Sequence, residues 1–425
     1  MSQPGEQRLA LWRNRDYMLL WSGQVVSTLG STVSGIVMPL FILLLTGSPA
    51  LAGIAGALSS APYLVFSLPV GALIDRWDRK LVMILCDAGR AANMFSIPVA
   101  MFFDALTVWQ LYAVTLVEGT LFVFFNIAEV AALPRVVTKQ QLGDATSQNM
   151  ATMAAANLVG PALGGFLFQV VGRVVPFVVD GVSYVVSMLS LLAIKTRFQG
   201  EKAAVDNRTR RIGSEIKEGL AWAWNEPLVR FTSFLSGGMN MVFSGGFLII
   251  IVLAQRLGAG EAEIGSIFSI GAVGGIIGSV LGGRINRRFT IRQIVLTTVW
   301  ANAICFPLYA LAPSVFVLGL IASVAFVSVP VYSVAALTYR LALIPDALQG
   351  RVNSAVRLVA FGFQPIGSVV AGFLLERVGP VASVAVFSAF LLVMSLLSVI
   401  MPLTPQVIAP VAAGGEPVEQ PSPGI

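Results

Sequence analysis

The sequence predicts an all-α membrane protein of twelve transmembrane helices arranged as two six-helix halves. Three observations predict it. Of 425 residues, 56% are hydrophobic and only 11% charged, whereas a soluble domain carries roughly 25% charge, so too little polar surface exists to face water. Apolar runs of the length that crosses a bilayer, about 20 residues, follow one another along the chain. Glycines of the first half also recur in the second at a fixed displacement.

Windows of about 19 residues, broken at Gly, Pro and charge, place the first-half spans near residues 17–45, 51–74, 81–103, 107–132, 147–171 and 174–195. The first run exceeds the roughly 7–15 apolar residues of a signal peptide, and no small-residue cleavage pattern follows, so it is expected to stay as a helix. Residues 196–227, with Lys202, Arg208, Arg210, Arg211, Glu215 and Lys217, form the long internal polar stretch. It reads as a cytoplasmic linker, partly helical (SEIKEGLAWAWNEP), between a half at 1–195 and a half at 228–402. Second-half spans fall near 228–255, 262–284, 291–312, 314–339, 352–375 and 380–402. Residues 403–425, broken by Pro405, Pro410, Pro417, Pro421 and Pro423, read as a disordered cytoplasmic tail.

An even span count puts both termini on one side. Of 27 Lys and Arg, only Arg173, Arg256 and Arg377 fall opposite them and Arg90 lies within a span, leaving 23 on the terminal side. The positive-inside rule then expects cytoplasmic termini in the cell membrane. The same distribution, basic residues in short loops, argues against reading the net charge of +6 as nucleic-acid binding.

Several function classes drop out. Cys86 and Cys305 lie in separate apolar runs and read as small hydrophobes. With no histidine, the commonest metal ligand and near-neutral proton switch is missing. No metal or other cofactor is expected, and any proton must ride on a carboxylate. No G-x-x-x-x-G-K-[ST] run is present for ATP. The chain is not expected to be an enzyme. Its expected partners are a small-molecule substrate, protons and the lipid bilayer, and it is expected to be monomeric.

The repeat is specific. Gly160, Gly165, Phe166, Leu167, Val171 and Gly172 match Gly367, Gly372, Phe373, Leu374, Val378 and Gly379, all displaced by 207, as are Gly143 and Ser147 from Gly350 and Ser354. GALID from Gly71 parallels GGRIN from Gly282, displaced by 211. Matching pairs occupy the same ordinal span, so the repeat is parallel, a plan in which substrate binds between the repeats.

Charges inside spans are costly, about 2.5–3.5 kcal/mol each on insertion scales, and mark function by default. Asp87 and Arg90 in the third span, Glu118 and Glu129 in the fourth and Asp180 in the sixth stand well inside, all in the first half. Glu118, Phe122, Phe125 and Glu129, spaced 4, 3 and 4, share a helical face. Two carboxylates flanking aromatic rings could exchange protons and meet a hydrophobic cation, and Arg90 is the obvious partner for Glu118. Asp87, three residues before Arg90, permits a local pair. Polar stripes mark Gln24, Ser27, Thr28, Ser31 and Ser34 in the first span, Ser233, Ser236, Asn240 and Ser244 in the seventh, and Arg357, Phe361, Gln364 and Ser368 in the eleventh. They suit either a central cavity or helix–helix hydrogen bonding. Gly274, Gly278 and Gly282, every fourth residue in the eighth span, suit packing.

The run GALIDRWDRK after the second span resembles the signature of the major facilitator superfamily, with Asp78 replacing its usual second glycine. The resemblance covers nearly the whole chain. It implies the major facilitator fold, and a cytoplasmic gate built from Gly71, Asp75, Arg76, Arg79 and Lys80. Gly71 would let helices approach closely, and the arginines would hold neighbouring carboxylates. The second-half copy, GGRINRR, has Asn286 in place of Asp75. AANLVGPALGG in the fifth span, with Gly160, Pro161, Gly164 and Gly165, resembles the antiporter motif of drug exporters, Ala156 replacing an upstream glycine. WRNRDYMLLWSGQVVSTLG, DRWDRK, ALPRVVTKQQLGDATSQN and VVDGVSYVVS resemble the macrolide-efflux and siderophore-exporter type, whose acidic position matches Asp180. Ser31 stands where many relatives carry an acid, and Thr115 where other exporters carry an arginine before Glu118 and Gly119.

The leading expectation is a secondary active exporter that moves an amphipathic or hydrophobic compound against proton entry, by alternating access. A proton-coupled importer or facilitator of a small solute is the alternative. A transport-inactive receptor or scaffold is the alternative of another class.

Overall fold

A computed structural model describes residues 11–74, 76–199, 212–344 and 348–400. Its helices are α1 (Arg15–Thr46), α2 (Pro49–Ile74), α3 (Arg79–Phe102), α4 (Val108–Val136), α5 (Leu142–Phe166) and α6 (Val175–Ala193). They continue as α7 (Ile212–Asn225), α8 (Pro227–Arg256), α9 (Glu261–Arg288), α10 (Ile291–Leu311), α11 (Val315–Leu343), α12 (Gln349–Gly362) and α13 (Gln364–Val399). No strand occurs among the described residues. Ten described helical segments are long and apolar enough to cross a membrane. One of them, Arg351–Val399, is interrupted at Gly379, whose φ of 79° breaks the helix. α3, with Arg79, Lys80, Asp87 and Arg90 in 24 residues, lies outside the ten.

Short polar residues start the helices where exposed backbone N–H groups need acceptors. Asn14 accepts from Tyr17 N at 3.0 Å and donates to Val136 O at 2.8 Å, tying the start of α1 to the end of α4. Asp78 caps α3, Thr107 caps α4 and Ser314 caps α11. Of the stretch read as a linker, Thr196–Gln199 and α7 are described. α7 packs on α12, where Arg351 pairs with Glu218 at 2.6 Å. Residues 200–211, and the tail beyond Ile400, lie outside the described residues.

In lipid, helices associate through close backbone approach rather than exclusion from water. α1 packs on α5 and α6, α3 on α4 and α6, and α2 on α4. α8 packs on α13, α9 on α11, and α10 on α11 and α13. Gly274 and Gly278 face the carbonyls of Ser323 and Val327, so that glycine row serves the α9–α11 contact.

The two sets of helices meet along α5–α9 and α2–α13. Gly165 lies against the Glu261 carbonyl and Gly265 against that of Pro161. Ala162 N donates to Ser269 Oγ at 3.2 Å and Ala262 N to Gln169 Oε1 at 2.9 Å. Glu376 accepts from Ala50 N at 3.1 Å and from Ser48 Oγ. These contacts lie toward the end of the bundle that holds Gly47, Gly172, Gly258 and Gly379, here called the outer end. A side chain on Gly165 has to push the α9 backbone away, at a cost of about 1–3 kcal/mol for overpacking. Gly165→Leu is therefore expected to lower the thermal unfolding midpoint in detergent. Gly71→Ala is expected to leave it unchanged, because an added Cβ there meets nothing within 4 Å.

Candidate functional site

Two adjoining cavities, one between the helix sets and one within the second set, share Phe243 of α8 and Gln364 of α13. The first, about 440 Å³, is lined by Ser31, Ser34, Arg90, Glu118 and Phe122, with Ser244 and Ser368 from the second half. The second, about 390 Å³, is lined by Ser236, Asn240, Asn302, Tyr332, Arg340, Arg357 and Phe361.

Four helices converge on the Arg90–Glu118 pair at the first cavity. Arg90 of α3 directs Nε and Nη2 at Glu118 Oε1 of α4, at 2.6 and 2.5 Å. Tyr184 of α6 donates to the same oxygen at 2.8 Å, and its hydroxyl meets Ser31 Oγ of α1, also at 2.8 Å. The guanidinium sits 4.0 Å from the Tyr184 ring centroid, close enough for a cation–π attraction. Glu118 Oε2 is buried without a hydrogen-bond partner. One carboxylate oxygen therefore takes two hydrogen bonds and the ion-pair contact while the other takes no hydrogen bond. One turn along α1, Ser34 donates to Asp180 Oδ2, and Ser183 donates to Oδ1 at 3.3 Å. Gly30 makes this approach possible, since a Cβ there would strike Ser183 and Asp180.

The structure thus brings Ser31, Arg90, Glu118 and Phe122 together, with Asp180 beside them. Other expectations need correction. Asp87 does not pair with Arg90, which turns to Glu118. Asp87 is fully buried, Ser187 of α6 is near it, and neither of its oxygens makes a hydrogen bond of ordinary geometry. Glu129 shares the Glu118 face but lies eleven residues on, about 16 Å along the axis. It lines neither cavity, and no described residue bonds or pairs with it. Phe125 is packed in the apolar cluster of Tyr17, Met83, Ala128 and Leu191 and is only 4% exposed. α1, α2, α3, α4 and α6 close together at that level, so the helical face points into side chains rather than space. Gln24 and Thr28 likewise line neither cavity. Gln24 Nε2 is buried and unpartnered, next to the tight packing of Gly23 against Ser187 and Ser190.

In the second half, Ser236, Asn240, Arg357, Phe361 and Gln364 line the second cavity, while Ser244 faces the first. Asn302 of α10, with Tyr332 and Arg340 of α11, was not anticipated. The spacing Ser328, Tyr332, Ala336, Arg340 marks one face of α11, but Arg340 had been counted among the topology charges of the loops.

At the gate segment, Asp75 lies outside the described residues and Arg76 is exposed. Arg79 donates to the carbonyls of Ala131 and Phe198 at 3.0 and 3.3 Å, and Lys80 to that of Ile194 at 2.6 Å. The acceptors described are thus backbone carbonyls, at and beyond helix ends. A cation suits the negative end of a helix. Gly71 faces open space and brings no helix close. The fifth-span motif does serve close packing: Gly160 meets Thr32 and Gly164 meets Val33 of α1, while Pro161 and Gly165 face α9.

Comparison with known proteins gives a consistent picture. The model of the family described as transmembrane secretion effector matches residues 7–414. Macrolide efflux protein A of Streptococcus pyogenes is 25% identical over 374 residues, covering 87% of this chain and 91% of its own. The multidrug efflux pump Tap of Mycolicibacterium fortuitum is 25% identical over 405 residues, covering 91% and 95%. A crystal structure of a variant of the nucleoside transporter NupG superposes with a TM-score of 0.75 at 14% identity, covering 91% of this chain and 99% of that one. These relatives are membrane transporters rather than enzymes, and this likeness in structure shows the fold. With its serial apolar helices and a cavity between two helix sets, the chain is a multi-pass membrane transporter of the major facilitator superfamily and belongs to its transmembrane secretion effector family.

Proposed function

We propose that this protein is a secondary active exporter, which moves an amphipathic or hydrophobic small molecule across the cytoplasmic membrane in exchange for protons. The observation that carries the reading is the Arg90–Glu118–Tyr184–Ser31 cluster. It sets a carboxylate with one free buried oxygen on the wall of the cavity between the halves. A proton on Glu118 removes the charge that holds Arg90, loosening contacts among α1, α3, α4 and α6. A substrate in the cavity meets the same groups. Asp180 and Asp87 are further buried carboxyls where a proton can be received, and Glu129 is a remoter one. The efflux proteins of S. pyogenes and M. fortuitum support the outward direction.

The fold carrying this cycle has twelve spans in two six-helix halves, counting α3 and dividing the Arg351–Val399 run at Gly379. The repeat is supported by Gly172 and Gly379, matched in sequence and both at positive φ. It is supported again by the interfaces α5–α9 and α2–α13, which a two-fold relation would exchange. Both termini are cytoplasmic, and the outer end faces away from the cytoplasm. The contacts concentrated at that end support an inward-open state, and gate residues Arg76, Arg79 and Lys80 would engage when the cytoplasmic side closes. The protein acts as a monomer and takes no cofactor.

The test expresses the protein in a strain lacking its own exporters and screens compounds for tolerance and accumulation. Lower accumulation with expression is the expected result. Higher accumulation reverses the direction, and accumulation that no compound changes sinks the transport reading. Opening at the outer end has a separate check. Ser48→Cys with Glu376→Cys, cross-linked by oxidation, is expected to stop transport almost completely, with activity restored by reductant. Undiminished transport in the cross-linked protein would show that this contact never opens.

A further inference from the structure

The second-half cavity carries two cations and, among the residues lining it, no carboxylate. Arg340 is half-buried near the end of α11, where its Nε donates to Ala336 O at 3.1 Å. Arg357 of α12 lies with its guanidinium 5.9 Å from the ring centroid of Tyr63, which belongs to α2 of the other half. Neither arginine has an ion pair among the described residues. The described acids from α7 onward are elsewhere: Glu215 belongs to α7, Glu218 pairs with Arg351, Glu226 precedes α8, Glu261 and Glu263 begin α9, and Glu376 binds Ser48 and Ala50.

The neighbouring polar groups are already engaged. Asn240 Nδ2 donates to Ala360 O at 3.0 Å, and Asn302 Nδ2 donates to Thr298 O and Ser328 Oγ, both at 2.9 Å. The Tyr332 hydroxyl is shared between Ser236 Oγ at 2.7 Å and Thr232 O at 3.2 Å. Most of the guanidinium donors, and the amide of Gln364, are left without described partners and available to a ligand. Two like charges sharing a cavity walled by Phe243, Phe326 and Phe361 repel each other and lack the counter-charge that a low-dielectric site demands. An anion supplies it, and arginine's planar fork suits a carboxylate, sulfonate or phosphate.

We propose that Arg340 and Arg357 form an anion subsite, and that the transported compound carries an acidic group on an apolar body that lies against the cavity phenylalanines. This rests on the exporter reading of the adjoining first cavity, and it specifies a charge that the reading leaves open.

The test is equilibrium binding to purified full-length protein in nanodiscs, without any gradient, so that it is independent of efflux. The probes are 11-(dansylamino)undecanoate and its methyl ester, which differ only in the charge. The acid is expected to bind at least tenfold tighter than the ester. Arg340→Gln or Arg357→Gln is expected to weaken the acid about fivefold or more and leave the ester within twofold, which also reports an intact fold. Arg340→Lys and Arg357→Lys should keep part of the preference. Equal affinity for acid and ester, binding of neither, or equal weakening of both by the glutamine variants would overturn the proposal. Asp346→Asn tests the acid six residues after Arg340 in the sequence. Unchanged preference supports the proposal, whereas a preference that exists only in that variant would assign the arginines to Asp346 and overturn it. A charge preference that follows the arginines, in a protein that drives no efflux, would leave the subsite standing and remove the exporter reading.

Discussion

Glutamine in place of Glu118 is expected to cut gradient-driven efflux at least tenfold while leaving substrate binding at fixed pH within about threefold. Glutamine keeps the shape and one acceptor oxygen for Tyr184 and Arg90, so the cavity wall stays in place. What it loses is the ability to gain and release a proton, and with it the change of charge beside Arg90. A tenfold loss of rate corresponds to about 1.4 kcal/mol at the limiting barrier, a modest demand on a group proposed to carry the coupling ion. Proteoliposomes with an imposed pH gradient measure it, using a compound found by the tolerance screen. Downhill counterflow without a gradient is the control, and it should persist. Full proton-driven efflux by the glutamine protein would move the coupling assignment away from Glu118.

Arg90→Met carries the largest expected effect on stability. Arg90 is 5% exposed and meets Glu118 Oε1 through both Nε and Nη2. Removing one partner of a buried pair strands the other charge, at a cost of about 3–5 kcal/mol. Loss of the stacking on Tyr184 adds to this. The double variant Arg90→Met with Glu118→Gln has no stranded charge and is expected to recover at least half of the loss. Unfolding by denaturing detergent, followed for the four proteins of this cycle, gives the coupling directly. Additive effects in the double variant would mean that the pair contributes nothing as a pair.

Much of this molecule was legible in the chain because lipid imposes strict rules on sequence. A backbone in hydrocarbon must satisfy its own hydrogen bonds, so apolar runs become helices and their breaks become turns. Charges inside such runs are rare enough to mark a site, which is why Arg90, Glu118 and Asp180 stood out. Tertiary context was needed wherever two residues have the same helical phase but different surroundings. Phe122 and Phe125 share a face of α4, yet one opens on the cavity and the other is packed among five helices. Arg340 sits in the sequence like any loop-proximal cation, and only the approach of α11 to α8 and α10 places it on the wall of the second cavity.

By itself, then, the sequence determined an all-helical membrane protein, its family resemblance and which buried charges to suspect, since periodicity and the cost of charge in lipid act locally. The tertiary structure decided which partner each charge takes: Arg90 with Glu118 and not Asp87, Lys80 with the Ile194 carbonyl. It also decided where the two sets of helices touch. Pairing depends on distances between helices remote in the chain, and those are set by glycine contacts such as Gly30 on α6 and Gly165 on α9, which spacing along one helix does not encode.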